Sequence, residues 1–541
     1  MTREQVFWGW GEPGAGPVMP AHAEAWLREQ VGVPGGVVSQ PVALEDVRLR
    51  EPALPAGLRE RLVEIAGAGG VRDDREIRVL RAAGKSYLDL LAQRAGACED
   101  APDAVVEPAS HEQVLAVLQA CNDAGVAVVP FGGGTSVVGG VAPARGRWEA
   151  LVSLDLGRMD ALVEVDRRSL IARLQPGLRL PEADHRLAAH GLTLGHFPQS
   201  YEWATVGGCV AARSAGQASS GFGRIDANLV AARAATPLGD WATLPVPASA
   251  AGPSLRQLLA GSEGALGVLT EVTLRVRPLP AERRYEGWFL RSFGEGWEVL
   301  RALAQDGLAP DVARLSDEPE TRMSLALAGR HGVKGLLGAA VLRARGFADG
   351  CLLICGWEGT ADARRGEAAR RLRAAGAMAA GRSPGEAWLR ARYAGPHLRD
   401  DLLDRGVLVE TLETAATWTG LGDLYRAVRD ALAGALPGAH VACHVSHVYA
   451  TGASLYFTVL AAQDRDDPAG QWRRAKDAAC AAIVGAGGTL SHHHAIGRDH
   501  APWLAEEVGA LGLEVLRAVK ERVDPAGILN PGKLLPAAAA G

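Results

Sequence analysis

The chain has 541 residues, 48% hydrophobic and 22% charged, with a formal net charge of −5. That length exceeds what one hydrophobic core organises, so two or more domains are expected, and the charge leaves no basic footprint for nucleic acid. No run of about 18 uncharged apolar residues is present to span a bilayer, the start lacks a secretory pattern, and seven scattered cysteines without a C-x-x-C pair point to reduced thiols and a cytoplasmic setting.

Residues 1–98 read as an arm with helices at 21–31 and 58–66, in which Trp8 and Trp10 anchor the arm onto a core. From 99 onward helix and strand alternate. Ser110-His111-Glu112-Gln113 is a capping box that opens a helix with Val114, Leu115, Leu118 and Cys121 on one face, and Gly125 stops it. Strands are expected at 126–130, 151–154, 170–174 and 268–276, with a helix at 181–190, and Pro278-Leu279-Pro280 closes this block. In the next block, strand candidates at 285–290, 350–357 and 454–460 interleave with Arg-rich helices such as 361–375, read as solvated faces. Cys351 and Cys355 alternate as core residues. A last helix spans 503–523, and the tail at 536–541 is expected to fray. The pattern is α+β, divided at 1–98, 99–279, 280–480 and 481–541.

Three glycine-rich turns stand at strand ends in the second of these blocks. Pro130-Phe131-Gly132-Gly133-Gly134-Thr135-Ser136 lets the backbone turn with positive φ and aim N–H groups at an anion. It is neither G-x-G-x-x-G nor a P-loop. Thr205-Val206-Gly207-Gly208 and Gly261-Ser262-Glu263-Gly264 are the other two, and together they suit a long, bent, anionic cofactor.

The stretches PFGGGTS, PQSYEWATVGG and GSEGALGVLTEVTLRVRPLP resemble the FAD-binding elements of the vanillyl-alcohol-oxidase superfamily, which carries the PCMH-type flavin fold. That resemblance implies a two-subdomain FAD-binding domain, an α+β cap domain with an antiparallel sheet, and a C-terminal helical segment returning to the flavin. It also implies an FAD lining made of Pro130 to Ser136, Gln199-Ser200-Tyr201-Glu202-Trp203-Ala204-Thr205, Ala212-Arg213-Ser214-Ala215 and Glu263-Gly264-Ala265-Leu266-Gly267-Val268-Leu269. With no histidine or cysteine in the first loop, noncovalent FAD is expected.

Within the superfamily, WGWG, GKSYLDL, HLRDDLL, ETLETAATW, LYF, GGTLSHHHAIGR and VDPAGILNPGKLL resemble the alkylglycerone-phosphate synthases of ether-lipid biosynthesis. FAD-linked hydroxyacid dehydrogenases are a poorer match, because His493 stands where they carry glutamate. The resemblance implies exchange of an acyl for an alkyl group on dihydroxyacetone phosphate through a flavin N5 adduct. Tyr456 would then move the substrate's carbon-bound proton, helped by His492, His493 and His494, with Arg399 on the phosphate and Arg314 near the flavin. The alternative is an FAD-dependent oxidase or dehydrogenase of another hydroxylated or amino substrate in the same pocket. The family also implies a lipid-like small-molecule substrate, a homodimer and peripheral membrane contact.

Asp401, Arg498, Cys209 and His444 depart from the family pattern, and a carboxylate at 401 is expected to repel a phosphate. Strand alternation puts His440 and His444 on one face and His447 on the other, so no metal site is expected.

Overall fold

A computed structural model describes residues 5–16, 18–33, 35–328, 340–359 and 362–536. Residues 537–541 of the expected tail and Ala361, the expected first residue of an Arg-rich helix, lie outside the described residues.

The first half carries two large sheets and a two-stranded one that pairs Leu192–Thr193 with Arg277–Pro278. A four-stranded sheet runs Val71–Arg72, Ala104–Val106, Leu151–Asp155, Ala127–Phe131, and its last three strands pair in parallel. The capping box holds as read: Ser110 Oγ accepts the Gln113 N–H at 3.2 Å, and the helix His111–Ala124 ends at Gly125 with φ 64°. That helix is the crossover that delivers the chain into Ala127–Phe131, and so into the glycine-rich loop. A five-stranded antiparallel sheet follows, in the order Leu162–Asp166, Ile171–Leu174, Val268–Arg275, Leu229–Thr236, Gly239–Ala242.

The second half is built on one seven-stranded sheet: Met378–Gly381, Arg283–Leu290, Cys351–Glu358, Val312–Ser316, His440–Val448, Gly452–Ala462, Val407–Thr417. Every pairing in it is antiparallel. Cys351 and Cys355 are fully buried in its core, and the chain's seven cysteines are all free and buried. The architecture is α+β.

Two long-range features join the halves. The C-terminal segment returns to the first sheet, where Val128 N–H donates to Ile528 O and Asn530 N–H to Val128 O, both at 2.8 Å. The final helix, Leu504–Val523, is kinked at Gly509. The N-terminal arm lies against the second half instead. Asp400 accepts the N–H of Trp10 at 2.7 Å, while Asp401 accepts those of Val18 and Met19 at 2.7 and 2.6 Å. The buried Asp401 is therefore occupied by the arm's backbone. Its carboxylate faces these amides, and Asp401 is not among the residues that line the cavity described below.

Candidate active site

A single cavity of about 880 Å³ runs between the glycine loops and the seven-stranded sheet. At one end, all of Pro130 to Ser136 line it. The turn demands glycine. A Cβ on Gly133 would sit 2.1 Å from Trp203 O, and Gly134 has φ 66°. Two loops thus pack backbone against backbone. Among the described residues, the N–H groups of Gly132, Gly133, Gly134 and Thr135 donate to no protein acceptor. Four free amides in one concave turn suit the diphosphate of a dinucleotide, so the cradle fits FAD.

Gln199, Ser200, Ala204, Thr205, Ala212, Ser214, Ala215, Glu263, Gly264, Gly267, Val268 and Leu269 also line the cavity. The other expected flavin contacts do not, and each has a reason. Tyr201 donates to Asp184 at 2.9 Å and stacks on Tyr393, while Glu202 lies 3.3 Å from His397. The Trp203 ring is buried beneath Arg179, and Arg213 turns to Gln257. Ala265 and Leu266 are packed inside the protein. Within such tight turns alternate side chains must point into the core.

Across the cavity, cross-strand register sets the chemistry. Ser316 pairs with His444, His444 with Tyr456, and Tyr456 with Glu413, so four polar residues form one row on one face of the sheet. Arg314, two residues before Ser316, and Thr411, two before Glu413, project from the same face and line the cavity. Burial raises the Tyr456 pKa above its usual value, although a hydrogen bond with Thr411 and the charge of Arg399 pull the other way. The phenol is therefore neutral at pH 7. Arg399 is buried on the helix Gly395–Asp404, donating to Lys85 O at 3.1 Å and Thr411 Oγ1 at 3.2 Å. It pairs with neither neighbouring aspartate, and it lines the cavity.

The triple histidine is folded around one carboxylate. Glu413 accepts from Ser491 Oγ at 2.7 Å, from the N–H groups of His493 and His494 at 3.0 and 2.6 Å, and from the His492 N–H. Glu263 ties the same loop to the flavin cradle by accepting from Ile496 N–H at 3.0 Å and Gly497 N–H at 2.9 Å. Burial pushes the Glu263 carboxyl up to about 7. His493 and His494 line the cavity, with their rings 6.0 and 5.6 Å from Tyr456. His492 does not. It faces Tyr449, whose hydroxyl lies 2.7 Å from Nε2, so its expected direct part in the chemistry is corrected. Burial lowers the pKa of all three, leaving neutral imidazoles.

Matches with known proteins follow this geometry. Residues 102–244 match the FAD binding domain and residues 279–534 match the C-terminal domain of FAD linked oxidases. An alkyldihydroxyacetonephosphate synthase of Trypanosoma brucei brucei is 32% identical over 90% of this chain and 82% of its own length. The chain belongs to the alkyldihydroxyacetonephosphate synthase family. It is an FAD-dependent enzyme. The family's Dictyostelium discoideum synthase is 33% identical over 86% of this chain and 78% of its own length. A solved alkyldihydroxyacetonephosphate synthase superposes with a TM-score of 0.81 at 28% identity, covering 96% of this chain and 94% of that one.

One further correction concerns a histidine that strand alternation placed on the other face. His447 faces the cavity, because the register between the strands shifts between Val445 and His447 and places His447 opposite Ser454, on the Tyr456 side. Ring nitrogens of His447, His492 and His493 then lie within 4.8 Å of one another. The His447 and His492 rings stack with their planes 22° apart. His492 and His493 meet Nδ1 to Nδ1 at 3.0 Å. Sequence reasoning missed Glu413, Glu320 and Thr411 as site residues. Only the stretch ETLETAATW, which contains two of them, gave a signal.

Proposed function

We propose that this enzyme replaces the acyl group of an acyl-dihydroxyacetone phosphate with an alkyl group, without net redox. The observation that carries the reading is the convergence of Tyr456, His493, His494 and Arg399 on one cavity with the glycine cradle. Pro130 to Ser136 would hold the flavin noncovalently, and the flavin when bound would supply a nucleophilic nitrogen.

The chain's own residues do the rest. Arg399 has donors to spare for a substrate phosphate. The neutral Tyr456 phenol donates a hydrogen bond to a carbonyl oxygen as charge develops there. His493 and His494, neutral and buried, accept or return protons to the departing and entering oxygens. Met19, Trp26, Leu27, Leu325, Leu398 and Leu402 give the cavity an apolar arm that suits an aliphatic chain and excludes water. No described helix is long and apolar enough to cross a membrane. Uptake of lipid-like substrates by peripheral contact with a bilayer surface is part of this proposal and rests on the family resemblance. Seven free, buried cysteines support a reducing, cytoplasmic setting, and the family resemblance supports a homodimer.

The test is anaerobic incubation of the yellow holoenzyme with acyl-dihydroxyacetone phosphate and a fatty alcohol. The expected outcome is alkyl-dihydroxyacetone phosphate plus free fatty acid. Tyr456→Phe is expected to retain flavin and lose about 10²–10⁴ in rate. Bleaching of the flavin by the substrate, followed by peroxide release in air, would instead establish an oxidoreductase.

A further inference from the structure

His444 departs from the family pattern, and its surroundings form a second chemical group inside the cavity. Its ring lies 4.9 Å from that of Tyr456 with the planes 22° apart. Nδ1 is 2.9 Å from Oε1 of Glu320, and both side chains are only 2% exposed. Arg314 donates to the same carboxylate oxygen at 2.8 Å. Burial pushes the Glu320 carboxyl up, yet Arg314 and His444 outweigh it and hold the group down at about 2. The acceptor beside Nδ1 is thus an anion.

A carboxylate on Nδ1 fixes the tautomer, with the proton on Nδ1 and the lone pair on Nε2. His444 lines the cavity, and among the described residues no protein group bonds Nε2. Burial, then the charge of Arg314, lowers the imidazole to about 4 against the pull of Glu320, with His493 on the facing loop lowering it further. It is therefore unprotonated at neutral pH. Its stacked partner Tyr456 is protonated. One row of the sheet accordingly offers a bare nitrogen lone pair and an O–H donor side by side.

We propose that His444, oriented by Glu320, is the base that takes the proton from the substrate carbon lying between the acyl oxygen and the ketone. The C–H bond breaks and an N–H bond forms at Nε2. The electron pair becomes the carbon–carbon double bond of an enolate, whose oxygen accepts from the Tyr456 hydroxyl. Nothing is oxidised, and return of the proton restores the ketone. Glu320 is a positioning residue that stabilises the imidazolium formed. This assignment rests on the acyl-exchange reading, which supplies a substrate with such a carbon.

The experiment uses the flavin-loaded enzyme in deuterium oxide with acyl-dihydroxyacetone phosphate, following loss of protium at that carbon by NMR. Wild type is expected to exchange it. His444→Asn is expected to slow exchange about 10²–10⁴-fold while keeping its flavin absorbance. Glu320→Gln removes the charge that raises the His444 pKa, so the acid limb of its exchange profile moves to lower pH. His444→Gly with added imidazole is expected to recover exchange. Wild-type exchange that His444→Asn leaves untouched, or a flavin-replete His444→Gly that imidazole fails to rescue, overturns the assignment and spares the acyl-exchange reading. Wild type that neither exchanges nor forms alkyl product overturns both.

Discussion

Replacing Glu413 by glutamine removes the anion around which residues 491–494 are folded. Oε1 accepts from Ser491 Oγ, His493 N–H and His494 N–H, and Oε2 accepts from His492 N–H. An amide keeps one acceptor oxygen and turns its NH₂ against the remaining donor. One bond is lost outright and the other three fall from charged to neutral strength. Hydrogen bonds to a charged group contribute about 1.5–3 kcal/mol and neutral ones about 0.5–1.5 kcal/mol. With low-end values throughout, the loop therefore loses about 4.5 kcal/mol, which is about a thousandfold in its opening constant. Hydrogen–deuterium exchange of peptides covering 489–497 measures that opening directly. The expected result is about a thousandfold loss of protection there and slower turnover. Flavin absorbance is expected to persist, since the cradle belongs to other loops. Unchanged protection in Glu413→Gln would show that the loop holds its shape without the carboxylate, and the reasoning would fail.

Gly133→Ala forces a methyl against Trp203 O at 2.1 Å, so the protein is expected to purify colourless or with sharply reduced flavin; a full flavin complement would contradict the cradle. Arg399→Lys replaces a planar fork with a point charge and is expected to lower kcat/KM for a phosphorylated substrate about 10–100-fold, with no loss for a dephosphorylated analogue. Acid is expected to destabilise the fold. Burial holds His196, His444 and His500 down at about 3, 4 and 3, so the unfolded chain takes up protons below its ordinary histidine value of about 6.5 that the folded chain refuses. Stability is full above that value and falls as pH drops through the window toward the folded values, by about 2 kcal/mol at pH 5 for a group like His444. Glu263 and Asp317, both pushed up to about 7 by burial, work in the opposite sense between their ordinary values and pH 7. The histidines outnumber them, since His447, His492 and His494 are also held well below their ordinary value. A thermal midpoint at pH 5 equal to that at pH 7.5 would count against this balance.

The flavin half was largely legible in the sequence, because its information is local. A buried strand, three glycines and two hydroxyl residues in succession specify a turn whose amides face outward, whatever the rest of the chain does. Tyr456, Arg399, His493 and His494 were reached through family resemblance, and the fold brings them to one cavity. The failures are long-range. Strand alternation put His447 outside, and only the register shift after Val445 reverses it. Asp401 reads as a charge near a phosphate site until its partners appear 382 and 383 positions away. Glu413 lies in the stretch ETLETAATW and Glu320 in no motif, and the role of each comes from which strand or loop lies opposite.

The arm's attachment to Asp400 and Asp401 has a consequence for biogenesis. Met19, Trp26 and Leu27 form part of the wall that would receive an aliphatic chain, yet Met19 is fastened by a residue translated 382 positions later. During synthesis this segment has no seat, and its apolar side chains stay available to chaperones until the helix Gly395–Asp404 is in place.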